Sequence, residues 1–203
     1  MKLFNHFKIE TKLVSYHEHN KQVSGARLLA DLHAGKQIAL VSDAGMPGIS
    51  GPGSDLIREA IAEDIPVIVL PGANAALTAL VASGLATERF LYYGFLPRKK
   101  KERREALETV RYEKGSLIFY EAPHRLKEML GALRDVLGDR QLTLARELTK
   151  RYEEYIRGSV TEALEWAEEE VRGEFVVIVE GSTEERPAEE EQLDNEFKVT
   201  RSE

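Results

Sequence analysis

Short apolar runs alternate with amphipathic stretches along most of the chain, from about Gln37 to Glu180. Ile38–Ser42, Val67–Leu70, Phe90–Phe95, Leu117–Tyr120, Leu142–Ala145, Tyr155–Val160 and Phe175–Val179 are rich in Val, Ile, Phe and Tyr. Each is bounded by Gly, Pro or charge and reads as a strand. Helical spacing fills the intervals. Ser24–Ala34 carries apolar residues at 28, 29 and 32 and stops at Gly35, and Ser54–Glu63 follows a Pro-Gly pair. Ala75–Ser83 is apolar on nearly every side, which predicts burial, and it stops at Gly84. Lys100–Tyr112 is heavily charged, His124–Leu137 ends before Gly138, and Thr161 is placed to cap a helix over Thr161–Glu170. Leu3–Phe7 also has a helical pattern, ahead of Leu13–His17. This alternation predicts an α/β fold built on mixed, largely parallel sheets.

The character of the chain changes near residues 86–97. Upstream, the strands are almost uniformly apolar, as buried central strands are; downstream, Arg89–Pro97 is aromatic and punctuated, and a basic run follows. Two α/β lobes are expected, over residues 1–88 and 89–182, with residues 183–203 an acidic disordered tail. The first lobe opens without the strand and turn that usually begin such folds.

Composition narrows the chemistry. The 203 residues contain no Cys, which excludes a disulfide scaffold, a thiolate zinc site and a Cys nucleophile. The longest apolar runs are far too short to cross a bilayer, and His6, Lys8, Glu10 and Lys12 interrupt any signal-peptide core. A soluble, cytoplasmic protein with no membrane partner is expected. With 28 basic and 35 acidic residues the net charge is −7, which argues against a general nucleic-acid coat. Locally the balance reverses, because Arg98, Lys99, Lys100, Lys101, Arg103 and Arg104 place six cations within seven residues. Such a run grips a polyanion with salt-dependent affinity, or is simply a solvated helix face. Tyr92, Tyr93 and Phe95 just before it are able to stack on unpaired bases or to fill a core.

Four segments have the composition of a site. Ser42–Gly53 follows a strand with four glycines and two prolines, a stiff non-helical path that brings backbone groups close to a ligand. It is neither G-x-G-x-x-G nor a phosphate loop, and it holds no cation. A neutral or positively charged ligand suits it, with Asp43 as the available carboxylate. Leu70–Ala79 repeats the strand–turn–helix theme, with small residues at 73, 75 and 76 and Asn74 able to cap the helix or bond a ligand. Phe119–Leu126 places Glu121, His124 and Arg125 at another strand end, and Ala145–Lys150 holds Arg146, Glu147 and Lys150, which would serve equally as a structural ion pair. Of His17, Glu18 and His19, the two histidines would share one face of an extended segment, but no third ligand is nearby in sequence, and no metal site is expected.

Five motifs occur in order: Val41-Ser-Asp-Ala-Gly-Met-Pro-Gly-Ile-Ser, Leu70-Pro-Gly-Ala-Asn-Ala-Ala, Gly94-Phe-Leu-Pro-Arg-Lys, Ile118-Phe-Tyr-Glu-Ala-Pro-His-Arg-Leu and Ala145-Arg-Glu-Leu-Thr-Lys. Together they closely resemble small-subunit ribosomal RNA methyltransferases of the tetrapyrrole methylase superfamily, over about residues 3–181. The resemblance implies two α/β lobes with S-adenosylmethionine in the cleft between them, a homodimer, and methylation of a cytidine ribose 2′-hydroxyl in 16S ribosomal RNA or the 30S subunit. It places Ala44, Gly45, Met46, Pro47 and Ile49 on the cofactor loop. Asn74 and Ala75 match the next turn, Tyr120 and Glu121 the wall from the second lobe, and Leu148 a backbone contact. Two departures stand out: the family's first strand with its Pro-Thr-Pro-Ile-Gly-Asn turn precedes the point where this chain starts, and Gly51-Pro52-Gly53 stands where relatives show Asp-Pro-Gly. In this reading a ribose oxygen attacks the activated methyl in line, with Glu121, His124, Arg125, Arg146, Glu147 and Lys150 as the catalytic candidates and residues 98–104 on the RNA. A methylase of a tetrapyrrole or other small substrate, and a non-catalytic RNA-binding module, are the alternatives.

Overall fold

The computed structural model describes residues 2–17, 20–42 and 45–187, and the segment expected to be an acidic tail lies largely outside them. The chain forms two compact units, residues 1–73 and 74–203.

The first unit contains α1 (Lys2–His6), α2 (Lys21–His33) and α3 (Ser54–Ala62). Leu28 of α2 and Leu56 and Ala60 of α3 are its buried apolar residues, and α2 packs on α3. Lys21 Nζ reaches Asp55 at 3.0 Å, and His33 pairs with Glu63. The two strands expected here do not form. Residues 36–42 and 65–74 carry no ladder, and Ile68 and Leu70 are 85% and 79% exposed. An apolar run becomes a strand only when a neighbouring strand takes up its N–H and C=O groups, and no such neighbour stands among the described residues of this unit.

The second unit opens with α4 (Ala75–Ser83). Asn74 caps it by accepting the Leu77 N–H at 3.0 Å, and left-handed Gly84 (φ 77°) ends it. There follow β1 (Phe90–Phe95), α5 (Lys100–Thr109), β2 (Ser116–Glu121), α6 (Pro123–Leu137), β3 (Gln141–Arg146), β4 (Glu154–Ser159), α7 (Val160–Trp166) and β5 (Phe175–Val179). Pro123 sits at the first turn of α6, where its missing N–H costs nothing. The cap of α7 is Ser159 rather than Thr161. Its hydroxyl accepts from Glu162 N while the Glu162 carboxylate accepts from Ser159 N, a reciprocal box that starts the helix one residue early.

The sheet order is β1-β2-β5-β3-β4. Only β1 and β2 pair in parallel, because β5 enters antiparallel between β2 and β3. The largely parallel sheets expected from the strand–helix alternation are therefore corrected to one mixed sheet. All five β5 residues are buried, as a central strand covered on both faces must be. One face packs Leu117, Phe119, Val177 and Leu144 against Leu107, Leu126, Met129, Leu130 and Leu133 of α5 and α6. The other packs Ile118, Ala145, Val176 and Ile178 against Ala76, Ala79 and Leu80 of α4. That contact places α4 in the second unit, so the division falls at residue 73 and not near residue 88 as composition suggests.

Candidate cofactor site and basic surface

The carboxyl ends of β1, β2 and β3 lie along one edge of the sheet, which is where sheets of this kind place ligands. A row of cross-strand partners crosses it: Phe95, Tyr120, Val176, Ala145 and Tyr155. Ala75, Tyr120 and Leu148, distant in sequence, all pack on the α4-side cluster here. Tyr92 and Phe95 meet the Tyr120 ring edge-on, with centroids 5.5 and 5.6 Å away. Burial first, then the neighbouring Tyr92, push the Tyr120 hydroxyl up to about 12, while a hydrogen bond from the Ala76 backbone acts the other way. The group is a neutral phenol throughout the physiological range. Tyr93 faces away from this row, against Phe119, and belongs to the core.

Glu121 ends β2 with its side chain fully buried. Its Oε1 accepts the Ala122 N–H at 2.8 Å, and Oε2 has no hydrogen-bond partner. His124 is exposed in the first turn of α6. Arg125 turns inward, 3.5 Å from Glu121.

The loop after β3 is held by its own ions. Glu147 Oε1 accepts from Lys150 Nζ and from the Glu174 N–H, each at 3.0 Å, and Lys150 also reaches Glu174 at 2.9 Å. The Glu174 N–H first, and Lys150 second, hold Glu147 below the usual carboxylate range; Glu174 and Glu147 in turn raise Lys150. Glu147 and Thr149 take positive φ of 50° and 63° to make this turn. Gly173 faces it so closely that an added Cβ would lie 2.6 Å from Glu147 Cγ. Arg146 pairs with Glu154 at 2.9 Å and lies over Trp166. Of the two readings of this segment, the structural ion pair describes what these side chains do. The partner Glu174 carries no local sequence signal, since it is the residue just before β5.

In the first unit, Gly45, Met46, Pro47 and Ile49 lie on the irregular turn leading to α3, and Ala44 and Asp43 fall outside the described residues. Gly45, Gly48 and Gly53 take φ of 70°, 79° and 130°. A Cβ at Gly53 would come within 2.5 Å of Leu40 Cδ2, so both path and packing require glycine there. Among the described residues no group of three or more His, Asp or Glu could hold a metal ion; Glu18 and His19 are not among them.

The basic run forms the start of α5. Arg98, Lys99, Lys100, Lys101 and Arg104 are exposed. Lys99 pairs with Glu102 at 2.9 Å, Lys101 with Glu105 at 3.8 Å and Arg104 with Glu108 at 3.6 Å. Arg103 corrects the expectation for this run. Its side chain is only 4% exposed, and it pairs with Glu128 of α6 at 3.0 Å. The signal for this was its spacing: Arg103 lies four residues before Leu107 and seven before Val110, on the stripe that α5 buries.

Residues 3–164 match the Tetrapyrrole (Corrin/Porphyrin) Methylases, and the chain belongs to that family. Among its relatives there is "Ribosomal RNA small subunit methyltransferase I" of Halalkalibacterium halodurans, 59% identical over 190 residues, covering 93% of this chain and 66% of that protein. The protein of the same name from Synechocystis is 46% identical over 201 residues, covering 97% of this chain and 72% of its own length. The chain thus spans about two thirds of the length of the curated relatives it matches. Uroporphyrin-III C-methyl transferase from Thermus thermophilus, solved in complex with S-adenyl homocysteine, shares the fold with a TM-score of 0.53 and 21% identity over 79% of this chain and 73% of that one. Among the described residues no helix is long and apolar enough to cross a membrane.

Proposed function

We propose that the chain binds S-adenosylmethionine at the carboxyl edge of its sheet and methylates a cytidine ribose 2′-hydroxyl of small-subunit ribosomal RNA, acting in the cytoplasm as a homodimer. The observation that carries this reading is that Ala75, Tyr120 and Leu148 pack on one apolar cluster between the sheet and α4. That surface is small, apolar and aromatic, which suits a flat nucleoside bearing a sulfonium cation. At the same strand end, on the face turned to α6, the buried Glu121 Oε2 is an acceptor without a hydrogen-bond partner.

The cofactor, when bound, supplies a methyl group that is already strongly electrophilic. The chain's own residues then have to bind, align and exclude water. Tyr120 contributes a neutral ring wall, and Asn74 fixes the start of α4. Arg98 and Lys100, which have no acidic partner among the described residues, hold phosphates. Removing the ribose proton falls to His124 or Glu121, the two candidates with a free lone pair. Arg125 and Arg146 are cationic donors without a lone pair to offer, Lys150 is held protonated, and Glu147 already accepts two hydrogen bonds.

Calorimetric titration with S-adenosylmethionine, followed by transfer of labelled methyl to small-subunit RNA and mapping of the modified ribose, tests the assignment. Saturable binding and a 2′-O-methylcytidine are expected. If His124 is the base, His124→Gln should lower the transfer rate about a hundredfold with cofactor affinity unchanged. Absence of cofactor binding rejects the reading.

A further inference from the structure

The connection between β1 and α5 is fastened in an unusual way. Three successive carbonyls, those of Leu96, Pro97 and Arg98, accept hydrogen bonds from the guanidinium groups of a partly buried and a buried arginine. Arg125 Nη2 donates to Leu96 O at 2.9 Å and to Pro97 O at 3.3 Å, and Arg103 Nη1 donates to Arg98 O at 3.4 Å. Both arginines are themselves held by acids. Arg125 Nε lies 3.5 Å from Glu121 Oε1, with the two side chains 15% and 0% exposed, and Arg103 is paired with Glu128. The start of the basic segment is therefore tied at two points to α6, and one of those ties runs to the last residue of β2. Glu121 directly follows Tyr120, the ring at the centre of the sheet edge.

We propose that Arg125, oriented by Glu121, is a positioning residue: it fixes the basic segment 98–104 relative to the carboxyl end of β2 and so sets where the RNA backbone lies with respect to the sheet edge. The proposal rests on the reading of that segment as the RNA grip. It assigns Arg125 no contact with substrate, in place of the catalytic role its motif suggests. The planar fork of arginine is what the geometry uses, since one nitrogen spans two carbonyls while another faces the carboxylate; a lysine ammonium preserves the charge and not this reach. Arg103 on its own holds only the third carbonyl.

The test compares the full chain with its Arg125→Lys and Arg125→Ala variants, all checked by thermal melting. Amide hydrogen exchange reads the order of residues 98–104, and anisotropy of a fluorescein-labelled fragment of small-subunit ribosomal RNA reads binding across a salt series. In Arg125→Lys the amides of 98–104 should exchange about tenfold faster, with β2 and β5 as protected as before, and RNA affinity should fall by a similar factor. In Arg125→Ala the affinity also falls, while the slope of log affinity against log salt remains that of the parent chain, because no phosphate contact is lost. A lysine that restores exchange and affinity overturns the proposal, since charge alone would then suffice. So does a slope reduced by about one in the alanine variant, the mark of a direct phosphate contact. If the parent chain shows no salt-dependent RNA binding, the RNA reading fails, and unchanged exchange in the lysine variant would still separately refute the positioning role.

Discussion

Tyr120 concentrates the physics of the sheet edge in one side chain. Its hydroxyl is pushed up to about 12 by burial and by Tyr92, from an ordinary value of 10.0. The folded state thus holds this proton more tightly than the unfolded chain does. Its contribution to stability is complete below pH 10 and is lost as the pH rises through about 12. Tyr120→Phe removes this titration, so denaturant unfolding between those limits should decline less steeply with pH in the variant than in the parent. Equal slopes would show that the phenol is not desolvated. Its motif marks this residue as a site candidate, but nothing local foretells its raised pKa. Its place in the Glu-Ala-Pro-His-Arg motif marks the neighbourhood, but the ring's partners Tyr92 and Ala76 come from separate elements. At the same scale Arg103 was misleading. Composition counts it with the exposed cations, and only the helical stripe it shares with Leu107 reveals that it points inward.

At the scale of elements, α5 shows how a charge run resolves into different jobs. Lys99, Lys101 and Arg104 are partnered by acids one turn on, while Arg98 and Lys100 are exposed without such partners among the described residues. An intrahelical pair of this kind is worth only a few tenths of a kcal/mol, yet it already neutralises each cation in part. Replacing Arg98 and Lys100 together with Ala should therefore weaken RNA binding and reduce the salt slope by about two, whereas the Lys99/Lys101 pair should change it by less. A salt titration of both double variants decides this. The elements of the second unit were legible because each carries its own stop and start, as Asn74, Gly84, Pro123 and Gly138 do. The strands expected at 38–42 and 67–70 had the right residues and were still misread, since pairing depends on a partner that no local pattern reports. The direction of β5 was equally hidden, because an apolar run of five reads the same whichever way it enters a sheet.

At the scale of the molecule, the two units differ in how their apolar residues are used. The second buries nineteen and seven residues in its two clusters, on either side of one sheet. The first buries few and leaves Ile68, Val69 and Leu70 exposed. Central β5 joins the two halves of the sheet, β1-β2 and β3-β4, which make no ladder with each other. Burial of its five side chains contributes about 7–15 kcal/mol, comparable to the whole stability of a typical domain. A chain ended after Glu170 should lose the cooperative melting transition of the second unit, as calorimetry would show; a surviving transition would mean that the halves hold without it.

The same arrangement has a consequence for how the protein is made. The strand that joins the sheet's halves is the last of its five strands to be synthesised, so β2 and β3 must wait, edges open, until β5 has left the ribosome. Nascent chains should therefore depend on chaperones in proportion to how slowly the codons of β5 are read.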